Sequence, residues 1–341
     1  MTLNFHNLSA SHDSLREALV RLRLIQFDES FKVEELTGGI SSTILKIEGP
    51  SGIYCIKQAL PELKIAGTWN APVERIYAEV AWLQLVAEIA PACVPNVLGV
   101  DRETNSFAMA FLPHDLFPNW KSELLAGRVD TSFAAAVGAT LASIHKATAN
   151  HTEIKSNFAN DDNFFALRLD PYLLETGRQH PDLESVLREL VVRTQKAKIA
   201  LVHGDISPKN ILIGPSGPVF LDAECAWYGD PAFDIAFCLN HLLLKSVANR
   251  NISASLLAAF DKLADMYLAS VDWEPRLRIE QRIATLLPAL TLARISGKSP
   301  VEYFDRTARQ AVTKVARALV AKPATRLDEL KFEWKKGFAF E

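Results

Sequence analysis

Between Ala200 and Asp222 a stretch of chain that reads as helix on both sides turns briefly to strand, and this island constrains the fold more than any other stretch. Its heart is Leu201-Val202-His203-Gly204-Asp205-Ile206-Ser207-Pro208-Lys209-Asn210, then Ile211-Leu212-Ile213, the turn Gly214-Pro215-Ser216-Gly217-Pro218, and Val219-Phe220-Leu221-Asp222-Ala223-Glu224. β-Branched runs on both sides of a Gly/Pro turn predict a hairpin, and that hairpin folds Asp222 back beside Asn210. A surface hairpin with incidental acidic residues would explain one of these groups. It does not explain the spaced set.

The flanks of the island differ. Asp13 or Ser14 is expected to cap a first helix whose apolar face includes Leu15, Leu19 and Leu22. From Phe31 the period is two: strands are expected at Phe31–Leu36, Thr43–Ile47 and Ile53–Lys57, with turns at Gly38-Gly39-Ile40-Ser41-Ser42 and Gly49-Pro50-Ser51-Gly52. A long helix follows over about Val73–Glu88, then strands at Val97–Val100 and Ser106–Leu112. After Pro113 the pattern is helical, most strongly over Thr131–Ala149, Asp182–Lys198 and much of Ile252–Leu319. The expected architecture is α+β and bilobal. Residues 1–112 form an antiparallel sheet with one long helix, residues 113–341 form a mainly α-helical lobe, and a cleft separates them.

Composition narrows the function. The 341 residues are 49% apolar and 23% charged, as in ordinary globular proteins. Net charge is −3, which offers no global basic field for nucleic acid or an anionic membrane. Residues 1–234 hold 20 Lys+Arg against 29 Asp+Glu, and residues 235–341 hold 17 against 11, so the final third is the basic part. The longest apolar run, around Leu286–Leu292, is far below the ~20 residues of a membrane span. The polar N-terminus lacks a signal core, and the four scattered cysteines read as buried thiols of a reducing, cytoplasmic compartment.

The chemistry follows from the spacing. A carboxylate at Asp205 can accept or orient a substrate hydroxyl, while an amide oxygen at Asn210 reaches a metal and Asp222 completes its site. Magnesium takes one or two carboxylates plus phosphate oxygens and waters, and Glu224 is a further candidate. An Asp and an Asn five apart before a hairpin match the spacing of a kinase catalytic loop. Lys57 ends a strand after the glycine turn, whose backbone N–H groups at Gly38, Gly39, Ser41 and Ser42 could cradle phosphate while the lysine pairs with it. Glu79 is the best candidate partner for Lys57, with Glu74 and Glu88 as the alternatives. Glu79 falls on the apolar arc with Ile76, Val80, Leu83 and Ala87, where an unpaired carboxylate would be costly.

With Leu221-Asp222-Ala223-Glu224 and Gly229-Asp230-Pro231-Ala232-Phe233-Asp234, the loop resembles the aminoglycoside phosphotransferase/choline kinase family from about Val33 to Tyr303. These are small-molecule kinases of protein-kinase-like fold. The resemblance implies Asp205 as catalytic base, Asn210 and Asp222 as Mg²⁺ ligands with Glu224 near them, and Lys57–Glu79 as the ion pair over the ATP phosphates. It implies that Asp234 buttresses the catalytic loop. Helix resumes around Asp234, only 12 residues after Asp222, so no long activation segment provides a platform for a peptide.

Within the family, Ile56-Lys57-Gln58-Ala59-Leu60-Pro61, Trp69, Glu74–Glu79, Asp170-Pro171-Tyr172 and the Asp222-x-Glu224 pair are similar to stretches of the 5-methylthioribose kinases. Those kinases lack the Pro208-Lys209-Asn210 ending and use adjacent arginines for substrate, whereas Arg294 here follows Ala293. The expected activity is ATP- and Mg²⁺-dependent phosphorylation of a hydroxyl on a small metabolite, a sugar such as methylthioribose or an amino alcohol. Trp227 and Arg294 are candidates for the substrate side. The alternatives are a nucleotide-binding pseudokinase or ligand sensor, and a kinase for aminoglycosides or protein-bound sugar adducts. A polycation would want an acidic pocket, which the basic final third does not offer.

Overall fold

The computed structural model describes residues 7–36, 41–62 and 71–340. The chain divides into two compact units, Met1–Pro113 and His114–Glu341.

The first unit is a five-stranded antiparallel sheet of order β1-β2-β3-β5-β4. Its strands are β1 (Lys32–Leu36), β2 (Ser42–Gly49), β3 (Gly52–Ala59), β4 (Val97–Asp101) and β5 (Ser106–Ala110). Period-two patterning sets the faces. Leu45 and Ile47 of β2 point inward while Lys46 and Glu48 face out and pair with each other at 2.7 Å. Helix α1 (His12–Arg21) lays Leu15 and Leu19 onto Leu45, Ile47, Tyr54 and Ile56 to close one core. Its cap is Ser11, not Asp13 or Ser14: the Ser11 hydroxyl accepts the Ser14 amide at 3.2 Å. Helix α2 (Arg75–Ile89) starts two residues later than its pattern suggested, because the Arg75 guanidinium binds the Ala71 and Pro72 carbonyls and ends the preceding turn.

The second unit is mainly helical. Helices α3 (Trp120–Leu125), α4 (Thr131–Thr148), α5 (Thr152–Asn157) and α6 (Asp161–Phe164) lead into a wide π-helical stretch, Phe165–Leu174, with Pro171 inside it. Then come α7 (Glu175–Gln179) and α8 (Glu184–Lys196). The expected island follows: β6 (Ala200–Val202), the hairpin β7 (Ile211–Gly214) with β8 (Gly217–Phe220), and β9 (Trp227–Gly229), which pairs with β6. Next is α9 (Ala232–Ala248), nearly all of it buried, then α10 (Ser253–Ala269), α11 (Arg276–Ser296), α12 (Arg306–Ala321) and α13 (Leu327–Phe338). Gly138 lets α4 meet α10: a Cβ there would lie 2.2 Å from the Leu263 carbonyl oxygen. Among the described residues no helix is long and apolar enough to cross a membrane.

Candidate active site

Strand β6 delivers the chain into the loop His203–Asn210, and the first turn of α9 holds that loop from beneath. The fully buried Asp234 carboxylate accepts the backbone N–H of His203 (2.8 Å) and of Gly204 (2.8 Å), with His145 Nε2 at 3.3 Å. Burial pushes His203 below the usual imidazole range. The neutral ring accepts the Asp205 amide at Nδ1 (3.2 Å), which leaves Nε2–H to donate to the Leu221 carbonyl (3.1 Å). Gly204 has φ of +80°, and a Cβ there would sit 2.8 Å from the Cys225 carbonyl oxygen, so the loop needs glycine at this point.

Asp205 emerges from this brace with its carboxylate fixed on one side. Asn210 Nδ2 donates to Oδ2 at 2.8 Å, and the Arg168 guanidinium reaches the same oxygen at 2.9 Å. Among the described residues no hydrogen bond falls on Oδ1. Arg168 also donates to the Gly204 carbonyl (2.6 Å) and to the Leu167 carbonyl (2.7 Å). Burial works to lower its affinity for the proton, but the Asp205 carboxylate outweighs that and holds it above the ordinary arginine value. Sequence reasoning missed this residue. Gly204 occupies the position where a protein kinase has arginine, and Arg168, from the π-helical stretch, brings a guanidinium to the same loop.

The expected metal ligands lie around the hairpin. Leu221 N donates to the Asn210 carbonyl at 2.9 Å, which ties the return strand to the loop. Asp222 takes a left-handed backbone (φ +69°), a conformation that costs of order 1 kcal/mol or more and concentrates at functional sites. Asn210 commits its amide nitrogen to Asp205, so its carbonyl oxygen is turned away from that bond. An amide oxygen and a carboxylate are hard donors suited to Mg²⁺. Glu224 is buried, and its backbone carbonyl accepts Asn163 Nδ2 at 2.8 Å. Among the described residues no three His, Cys, Asp or Glu side chains form a metal-binding group. A donor set this sparse fits an ion that keeps several waters and takes the rest of its shell from phosphate.

In the first unit, Lys57 on β3 meets Glu79 on α2: Nζ lies 2.8 and 2.7 Å from the two carboxylate oxygens, with both side chains buried. Arg75, one turn earlier on the same face of α2, donates to the Ser41 carbonyl (2.5 Å) and the Leu60 carbonyl (2.8 Å). It thereby staples α2 across the ends of β2 and β3 and sets the height of Glu79 against Lys57. The Ser41 carbonyl is thus engaged within the protein, and the buried Ser42 hydroxyl has no hydrogen-bond partner among the described residues. Gly38, Gly39 and Trp69 lie outside the described residues.

Of the two substrate-side candidates, Trp227 lies inside the second unit. It is fully buried, stacked on Phe164 at 4.1 Å with Lys198 Nζ 4.0 Å from the indole centre, and belongs to the core. Arg294 is half-buried and reaches the Tyr172 hydroxyl (3.3 Å) and Ser299.

A five-stranded sheet followed by a helical unit with a braced Asp…Asn loop is the protein-kinase-like fold of small-molecule kinases. A Plasmodium vivax ethanolamine kinase superposes with a TM-score of 0.60 at 13% identity, covering 94% of this chain and 92% of that one. The phosphotransferase enzyme family matches residues 32–263, and the chain belongs to that family. Among curated relatives, Methylthioribose kinase 1 of Oryza sativa subsp. japonica is 26% identical over 63% of this chain and 56% of its own length. The methylthioribose kinase of Pectobacterium atrosepticum is 28% identical over 62% and 59%. The matched stretch thus spans less than two thirds of these relatives.

Proposed function

We propose that the chain is an ATP- and Mg²⁺-dependent kinase that transfers the γ-phosphoryl group to a hydroxyl of a small metabolite. The observation that carries the reading is the Asp205 carboxylate: Oδ2 is engaged by Arg168 and Asn210, while no described residue bonds Oδ1. A carboxylate fixed at one oxygen presents the other to an incoming hydroxyl in a single orientation. Asp205 then accepts the hydroxyl proton as the alcohol oxygen bonds to the γ-phosphorus. The bond from that phosphorus to the β–γ bridging oxygen breaks, and its electron pair leaves with ADP. Lys57, aligned by Glu79, donates to the nucleotide phosphates. Asn210 and Asp222 would hold Mg²⁺, with Glu224 near them, and the ion when bound neutralises charge on the transferring phosphates.

Likeness to methylthioribose kinases makes a sugar alcohol one arm of the test, and amino alcohols make another. ADP release should be measured with Mg·ATP and methylthioribose, ribose, choline, ethanolamine, homoserine, hydroxylysine or kanamycin. An acceptor-dependent signal that falls 10²–10⁴-fold in Asp205→Asn is expected. Lack of ATP binding, or full turnover in that variant, would overturn the reading.

A further inference from the structure

The mechanism leaves one group of side chains in the second unit unused. Lys245, three turns along α9 from Asp234, is only 2% exposed, and its ammonium lies 5.4 Å from the centre of the Tyr303 ring. Among the described residues no carboxylate stands within salt-bridge distance of it. The charges that act on it are Lys121 and Arg294, which repel, and Glu302, which attracts. Glu302 is itself ion-paired with Lys121. Two polar groups here are buried without hydrogen-bond partners: Arg294 Nε and the Tyr303 hydroxyl. His241, one turn before Lys245, is buried and feels Lys245, Arg294, Lys121 and Lys209, the last of these on the catalytic loop.

A guanidinium N–H and a phenol are therefore withdrawn from water with no acceptor to meet them, beside a nearly buried amine with no carboxylate partner among the described residues. Nature rarely leaves buried charges and donors in that state. Burial and the neighbouring cations push Lys245 down to about 7, the mark of an amine lacking an anion. The group also adjoins the chemistry. Arg168, which holds Asp205, lies over Phe237 (5.9 Å) and Tyr172 (5.8 Å). Against the same two rings lie His241, edge-on to Phe237 at 5.5 Å, and Arg294, bonded to the Tyr172 hydroxyl. Tyr172 and Phe237 are thus shared between these side chains and the guanidinium on Asp205.

We infer that Lys245, Arg294 and Tyr303 receive an oxyanion carried by the acceptor, so that the kinase proposed above, on whose reading of Asp205 this rests, phosphorylates a small anionic alcohol. The shared chemistry is a carboxylate or a phosphate. A neutral sugar such as methylthioribose, or a cationic amino alcohol, leaves the donors unmet.

Matched acceptors test the inference: D-glycerate against glycerol, homoserine against 3-amino-1-propanol, and ribose 5-phosphate against ribose. In at least one pair the anionic member should show a kcat/KM tenfold or more above its match, and the pair that responds distinguishes carboxylate from phosphate. Lys245→Met and Tyr303→Phe should each erode that preference at least tenfold, mainly through acceptor KM. A second readout needs no turnover. Without nucleotide, inorganic phosphate, D-glycerate or ribose 5-phosphate should raise the melting temperature of the wild type and not of Lys245→Met, while glycerol and ribose leave both unchanged. Equal or better use of the neutral members, or equal anion stabilisation of wild type and Lys245→Met, would overturn the inference. If ATP does not bind and no acceptor releases ADP but the Lys245-dependent stabilisation persists, the kinase reading falls and the anion pocket stands.

Discussion

Arg168→Met tests the central claim about Asp205, because it removes one guanidinium and leaves everything it served in place. Three bonds vanish: to Asp205 Oδ2 at 2.9 Å, to the Gly204 carbonyl at 2.6 Å and to the Leu167 carbonyl at 2.7 Å. Breaking a buried ion pair from one side costs about 3–5 kcal/mol, and a buried carbonyl left unbonded adds about 1–3 kcal/mol. The Asp205 side chain keeps 16% of its exposure, so water recovers part of this, and the methionine restores apolar contact against Tyr172 and Phe237. The expected net loss is about 3–5 kcal/mol, read from urea unfolding followed by circular dichroism. Most of that loss is an uncompensated carboxylate, so adding Asp205→Asn should restore about 2–3 kcal/mol, a coupling that a double-mutant cycle isolates. Turnover should fall about 10²-fold in Arg168→Met, since Asp205 loses its fixed orientation. Arg168→Lys should be intermediate, keeping the charge without the planar fork. A loss below about 1 kcal/mol, or further destabilisation on adding Asp205→Asn, would refute the argument that Arg168 and Asp205 form a coupled pair.

Other expectations follow from single observations. Glu79→Gln keeps the shape of its side chain but removes the carboxylate from a pair almost wholly out of water. It should cost about 3 kcal/mol in urea unfolding and raise the KM for ATP at least tenfold. Gly138→Ala sets a methyl 2.2 Å from the Leu263 carbonyl oxygen, so α4 and α10 must part; a loss of about 2 kcal/mol or more is expected in thermal unfolding. Lys245 gives a pH signature. Its amine ionises near the ordinary 10.5 in the unfolded chain and near 7 when folded, so between those values the unfolded state holds the extra proton. Wild-type stability should therefore rise from pH 7 towards 10.5, the full span being worth roughly 5 kcal/mol at most. Lys245→Met should be the more stable protein at pH 7, with the gap closing as pH rises. A gap that is constant with pH would count against the buried, unpaired amine.

Much of this architecture can be read along the chain, because its patterns are local. Alternation over Thr43–Ile47 finds the sheet, since β2 buries every second residue there while its partner β3 is buried on both faces from Tyr54, and the Gly/Pro turn after Ile213 finds the hairpin. Glu79 is legible for a different reason. A carboxylate on the apolar arc of a helix demands a cation, and Lys57 on β3 meets that demand. Trp227 is not legible in this way. An aromatic residue near a catalytic loop is equally suited to a ligand cage and to a core stack, and only the packing against Phe164 decides between them.

Arg168 shows where the method stops and how it could go further. Its partners lie 36 and 37 residues away, and it sits in a π-helical stretch whose side chains drift out of the 3.6-residue period. Periodicity therefore gives no face to which it can be assigned. The signal that survives is energetic: a lone arginine within Phe164-Phe165-Ala166-Leu167-Arg168-Leu169 must either leave the core or find a carboxylate inside it. The argument that selects Glu79, applied to this cation, leads to an acidic group on a segment packed against it, and Asp205 is the acidic group found there. Lys245, deep in the apolar run of α9, poses the same demand. No described carboxylate answers it, so the argument that locates a structural partner for Arg168 points, for Lys245, to an anion brought in from solution.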